Sequence, residues 1–155
     1  MRGIYVAGPV VRQSPGWDLP PWVADVYQAI ESQTINRKQE ALMPLVDHAL
    51  DKQTPGAFFH SVRKRIADSA AMVTVYTSGD ASAAVETAIG SVLGKKILLI
   101  AEDEADVERM VAGLPGVEVV AASSPELVGR IRILMDSSSP HSGEPGRGRK
   151  GTAAP

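Results

Sequence analysis

The sequence predicts a single α/β domain around a mainly parallel sheet. Three observations lead there. Five short apolar runs alternate with stretches of helical periodicity, so successive strands must be joined by crossovers. The 155 residues fit one domain of ordinary size, and at 44% hydrophobic the chain can bury a core without disulfides or metals. No internal repeat points to a solenoid or a propeller.

Ile4-Tyr5-Val6-Ala7 is an apolar run closed by Gly8-Pro9, the first strand. Pro20-Pro21 suits a helix start, and Trp22, Val23, Val26, Tyr27 and Ile30 recur at helical spacing, with the helix extending as far as Gln39. Residues 41–46 form the second strand, whose Pro44 suggests a strand end or an edge. A polar connection over 47–56 leads to a helix over 57–69, with Phe58, Phe59, Val62 and Ile66 on its apolar side. Met72 to Tyr76 is a β-branched and aromatic third strand. Thr77-Ser78-Gly79-Asp80 is a turn, and Ser82 is placed to cap a helix running to Leu93, which Gly94 closes. Residues 96–100 are a buried fourth strand. Asp103 opens a helix to Ala112, Val117 to Ala121 is the fifth strand, and Ser124-Pro125-Glu126 starts a last helix ending near Met135.

Five strands of this kind suggest a flavodoxin- or Rossmann-like three-layer sandwich with strand order 2-1-3-4-5. In that order the topological switch lies between strands 1 and 3, and ligands bind at their carboxyl ends. The site is therefore expected where the loops at Gly8-Pro9 and Gly79-Asp80 meet.

Composition narrows the function. With no cysteine, a disulfide framework, a thiolate nucleophile and sulfur-ligated zinc are excluded, and a reducing cytoplasmic setting is the natural reading. His48, His60 and His141 lack metal-type spacing, so no metal and no cofactor is expected. A formal charge of −2 gives no reason to expect nucleic-acid binding. No apolar run reaches the roughly 20 residues of a membrane span, and Met1-Arg2-Gly3 leads directly into the first strand without a signal segment. The domain is expected over residues 1–136. Residues 137–155 are Ser, Pro and Gly rich, carry Arg147, Arg149 and Lys150, and read as a disordered basic tail.

Asp80 and Glu86 stand six residues apart across a turn and the start of a helix, so both carboxylates can point into the expected crevice. Tyr5, on the neighbouring strand, could reach them with its hydroxyl. A carboxylate pair with a phenol suits displacement at an anomeric carbon, where one carboxylate attacks an oxocarbenium-like centre while an acid assists departure. Plainer roles compete: an acid in the first turns of a helix complements its dipole, Asp80 can serve the turn, and Tyr5 can be core. His60 could line the pocket as a proton donor or stand at the surface. Arg12 and Gln13 could meet a phosphate or hydroxyl, although GxGxxG and GK[ST] motifs are absent. Trp17 and Trp22 could stack on a base or simply pack, and Asp68 is read as fixing local backbone.

IYVAGP (4–9), ADSAAMVTVY (67–76) and GDASAAVETAIGSVLGKKILLI (79–100) resemble the nucleoside 2-deoxyribosyltransferase family, which includes nucleoside 5′-monophosphate N-glycosidases. The resemblance implies that Glu86 is a nucleophile forming a covalent glycosyl intermediate, that Asp80 binds the sugar or helps catalysis, and that Tyr5 orients the glutamate. It places a base-protonating acid about where His60 falls, and substrate contacts at Gly8, Pro9, Arg12, Gly79 and Ser82. An aspartate at position 80, where the nucleotide hydrolases usually carry serine, favours a nucleoside over a nucleotide. A homodimer or larger homo-oligomer is implied as well. The alternatives are nucleoside monophosphate hydrolysis and a non-catalytic nucleotide-binding or sensing module.

Overall fold

The computed structural model describes residues 3–10, 19–44 and 52–138. Its five strands form one parallel sheet in the order β2-β1-β3-β4-β5, as the sequence predicts: β1 (Ile4–Ala7), β2 (Ala41–Leu42), β3 (Ala71–Tyr76), β4 (Ile97–Ala101) and β5 (Val117–Ala121). Among the described residues five α-helices accompany it: α1 (Pro21–Asn36), α2 (Pro55–Asp68), α3 (Ala81–Val92), α4 (Arg109–Ala112) and α5 (Leu127–Ser138).

The strands β1, β3 and β4 are buried at every residue, which is why they read as unbroken apolar runs rather than as alternating ones. Alternation still decides which helix each residue meets. Ile4, Val6, Val73, Val75, Leu98 and Ile100 pack with Val23, Val26, Ile30, Ile131 and Met135 of α1 and α5. Tyr5, Met72 and Ile97 face Val62 and Ile66 of α2, while Tyr76 and Leu99 meet Ala83 and Val111 of α3 and α4. The register sets Tyr5 beside Met72 and Ala7 beside Thr74, so the ends of β1 and β3 lie together.

Helix α3 lies close against the sheet because its inner face is small: Ala83, Thr87 and Gly90 are its buried residues. A Cβ at Gly90 would stand 2.7 Å from the Met72 Sδ. The fully buried Thr74 and Thr87 hydroxyls meet at 2.8 Å, and Thr87 also donates to the Ala83 carbonyl at 2.7 Å.

Several boundaries differ from the sequence reading, each for a physical reason. Helix α1 stops at Asn36, where Lys38 takes a positive φ of 53° and Gln39 N–H bonds back to the Thr34 carbonyl. Strand β2 keeps two residues, Ala41 and Leu42; it pairs with β1 alone and precedes Pro44, and 45–46 lie outside the described residues. Helix α2 begins earlier, with Pro55 in its first turn and Thr54 Oγ1 accepting from the Ala57 N–H. The helix expected from Asp103 to Ala112 is instead a 3-10 turn at Glu104–Asp106 followed by the one-turn α4. The chain extends between them to bury Val107, and Glu108 accepts a hydrogen bond from the Tyr76 hydroxyl. Helix α5 runs to Ser138, two residues past the expected domain end; the remainder of the proposed tail lies outside the described residues.

The threonine pair gives a test. Thr87→Val removes the hydroxyl that Thr74 bonds to and should cost about 1–2 kcal/mol in urea unfolding. Thr74→Val leaves Thr87 bonded to Ala83 and should cost less, with the double variant well below the sum. Additive costs would show that the two hydroxyls do not act as a pair.

Candidate functional site

The site forms at the switch between β1 and β3. β3 ends in a turn in which the Asp80 N–H bonds to the Thr77 carbonyl at 3.0 Å and Gly79 takes a φ of 79°. A hydrogen-bonded turn with positive φ at its third residue is where glycine belongs. The turn delivers Asp80, rather than Ser82, to the N-cap of α3: its Oδ1 accepts from the Ala83 N–H at 3.0 Å. Ser82 sits one residue inside the helix and is exposed.

On the β1 side the chain turns at Gly8. A Cβ there would lie 2.8 Å from the Val75 carbonyl and 2.6 Å from the Tyr27 hydroxyl, so only glycine lets the two strand ends approach this closely. Pro9 follows, and its carbonyl accepts a 2.7 Å hydrogen bond from Tyr27 Oη.

Between these loops lies the pair that matters. Tyr5 Oη donates to Glu86 Oε2 at 3.0 Å, joining β1 to the second turn of α3. Burial pushes the Glu86 carboxyl up to about 7, and the nearby Asp80 charge adds to that; the Tyr5 hydrogen bond works the other way by favouring the ionised form. The Tyr5 phenol is driven well above its ordinary value by burial and by the Glu86 charge, so it remains a hydrogen-bond donor at any physiological pH. Tyr27 is raised likewise, by burial first and then by the charges of Asp80 and Glu86.

A groove of about 240 Å³ opens beside Glu86, between the N-terminal halves of α2 and α3. Phe58, Phe59, Val62, Ala81, Ser82, Val85 and Ile89 line it with Glu86, and among the described residues no lysine or arginine does. The sequence assigns Phe58 and Phe59 to a core face; they are 42% and 45% exposed and form a wall of this groove instead. A second cleft, at the amino ends of β4 and β5, includes Arg130, which is already paired with Glu118 and Glu126.

Of the predicted site residues, the structure thus brings together Tyr5, Glu86, Asp80, Gly8, Pro9, Gly79 and Ser82. His60 stands apart, exposed on α2 with its ring edge-on to Phe59 at 6.0 Å between centroids. Arg12, Gln13, Trp17, His48 and His141 lie outside the described residues. Trp22 packs against the core beneath α1 and α5, and Asp68 pairs with Lys64 at 2.6 Å on the surface of α2. Tyr27 is the site residue that sequence reasoning missed. Its helical spacing marks it only as core, and nothing in that pattern reveals that its hydroxyl reaches the β1 turn. Among the described residues no three His, Asp or Glu side chains converge as a metal would require, and no helix is long and apolar enough to cross a membrane.

No protein-family model and no curated protein matches the chain. Among solved structures it is similar to the CMP N-glycosidase BcmB of Clostridium botulinum, with a TM-score of 0.54 at 14% identity over 85% of this chain and 98% of that one. That likeness establishes a shared fold.

The electrostatics of Glu86 set a direct expectation. A carboxyl whose folded pKa is about 7 against an ordinary 4.5 makes its favourable contribution in the protonated form, present below 4.5 and lost as pH rises through 7. Glu86→Gln should therefore unfold like the wild type at pH 4 and be more stable at pH 8, by up to about 3 kcal/mol. Equal stability at both pH values would show that Glu86 is not strained by burial. Tyr5→Phe should move the Glu86 titration, followed by carboxyl NMR, still higher; a downward move would contradict the 3.0 Å bond.

Proposed function

We propose that this protein cleaves or exchanges the N-glycosidic bond of a (deoxy)nucleoside, with Glu86 as the nucleophile. The observation that carries this reading is the partly buried Tyr5–Glu86 pair at the switch point, with Asp80 near it. A carboxylate held by one phenol keeps a free oxygen for attack. Its partial burial strips away the water that would otherwise blunt it.

The ionised Glu86 oxygen forms a bond to C1′ while the C1′–N bond breaks, and that electron pair leaves on the base nitrogen. The base takes its proton from water, because His60, the acid the sequence offered, stands exposed on α2 with its ring against Phe59. Asp80 binds the sugar, and Tyr5 holds Glu86 in line through the oxocarbenium-like transition state. The glycosyl ester then resolves by reversal: water or the nitrogen of an acceptor base attacks C1′, the ester C1′–O bond breaks, and the carboxylate is restored. Water makes the protein a hydrolase, and an acceptor base makes it a transferase. Backbone at Gly8, Pro9 and Gly79, with Ser82 and Arg12, would complete substrate binding.

The similar fold of a CMP N-glycosidase supports chemistry of this class on such a scaffold, and it raises hydrolysis of a nucleoside 5′-monophosphate as the second reading. One feature favours the neutral nucleoside: Asp80, close to Glu86, would repel a phosphate near the sugar. A role as a homo-oligomer in the cytoplasm fits the same reading.

Incubation with a panel of nucleosides and 5′-monophosphates, with and without a free acceptor base, tests it. Free base or a new nucleoside should form, and Glu86→Gln should lower the rate roughly a thousandfold or more. Full activity in that variant would refute the mechanism, and binding without turnover across the panel would favour a sensing module. For the active substrate, kcat/KM should climb with pH up to about 7 and level off above it, because only the ionised Glu86 attacks.

A further inference from the structure

We infer that Tyr27 is a positioning residue: its hydroxyl latches the Gly8–Pro9 turn into the wall of the crevice and so sets how tightly substrate is held. This inference rests on the reading of the crevice as a nucleoside site. Tyr27 belongs to α1, on the face of the sheet opposite Glu86, yet its side chain rises past the end of β1. It is 5% exposed, and its hydroxyl makes one directed bond, 2.7 Å to the Pro9 carbonyl. Pro9 has no N–H, so this turn lacks one of the donors with which a loop normally secures itself. The Gly8 Cα faces the same hydroxyl so closely that no side chain fits between them, and on its other side lies the Val75 carbonyl at the end of β3.

Tyr27, Gly8, Pro9 and Val75 therefore form one packed contact that ties helix, turn and neighbouring strand together across the sheet. The Tyr27 phenol lies near enough to Asp80 and Glu86 for both charges to act on it, so the turn that it holds borders the two carboxylates and its placement sets the room left for substrate. A tyrosine whose duty was packing alone would need no hydroxyl. Phenylalanine keeps the ring in the core among Ile4, Val6, Val23 and Val75 and removes only the latch.

Tyr27→Phe is therefore the variant to make, and it is read in two independent ways. Amide hydrogen exchange by mass spectrometry should show the peptide containing residues 7–10 exchanging roughly three- to tenfold faster, the scale of one lost hydrogen bond, with β3 and β4 unchanged. With the nucleoside that wild type turns over best, KM should rise by a similar factor while kcat changes less than about twofold. The pH dependence governed by Glu86 should stay in place. Unchanged exchange in the turn would overturn the latch. A loosened turn with unaltered KM would overturn its role in substrate binding, as would a fall in kcat alone. If wild type turns over no nucleoside or nucleotide, the functional reading fails on its own, and the exchange arm still decides whether Tyr27 holds the turn.

Discussion

The parallel pairing of β1 with β3 is the constraint on which the rest of the molecule depends. Register brings Tyr5 level with Met72 and Ala7 level with Thr74, so β1 ends two residues before β3 does and the turn at Gly8 comes against Val75 near the end of β3. Gly8 allows the two ends to touch, Gly79 turns the chain back into α3, and the small face of α3 brings that helix down onto the sheet. A bulkier residue at Gly8 would separate the loops, and a larger one at Gly90 would lift the helix that carries Glu86. Packing far below the crevice therefore sets the distance at which Tyr5 meets Glu86.

Three effects compete at that carboxyl, and their balance gives the site its character. Desolvation favours the neutral acid and outweighs the Tyr5 hydrogen bond, which favours the anion; the Asp80 charge reinforces desolvation. The result is a group that titrates near neutrality, where an ordinary surface glutamate would be fully ionised. A fold gains nothing in stability from such a residue, since burying a charge costs free energy that a glutamine would spare. Under the proposed mechanism, its place on α3 against Tyr5 of β1 is that of a reactive group.

Much of the architecture is legible in the sequence because the inner strands are buried on both faces. Runs such as Met72 to Tyr76 can be little else in a chain of this length, and their alternation with helices dictates parallel pairing. The candidate site follows from topology alone, and Tyr5, Asp80 and Glu86 converge as that topology requires. What escaped detection depends on tertiary contacts. The helix after Asp103 breaks where Val107 packs with Tyr76 and Leu99 and where Tyr76 donates to Glu108, partners that local propensity does not reveal. Asp80 displaces Ser82 as the cap because the turn at Gly79 fixes where the helix begins. Phe58 and Phe59 share the apolar side of α2 with Val62 and Ile66, but they stay half exposed and face the groove. Tyr27 carries a polar atom on an apolar stripe, and the stripe masks it.

The central claim is that Glu86 takes the sugar covalently. Its most direct test is acid quench of the protein during turnover of a deoxynucleoside, followed by proteolysis and mass spectrometry of the peptide carrying residue 86. One deoxyribosyl group on Glu86, absent from Glu86→Gln, is the result the account predicts. Steady release of free base with Glu86 unmodified at every quench time, and the sugar on another residue or on none, would contradict it.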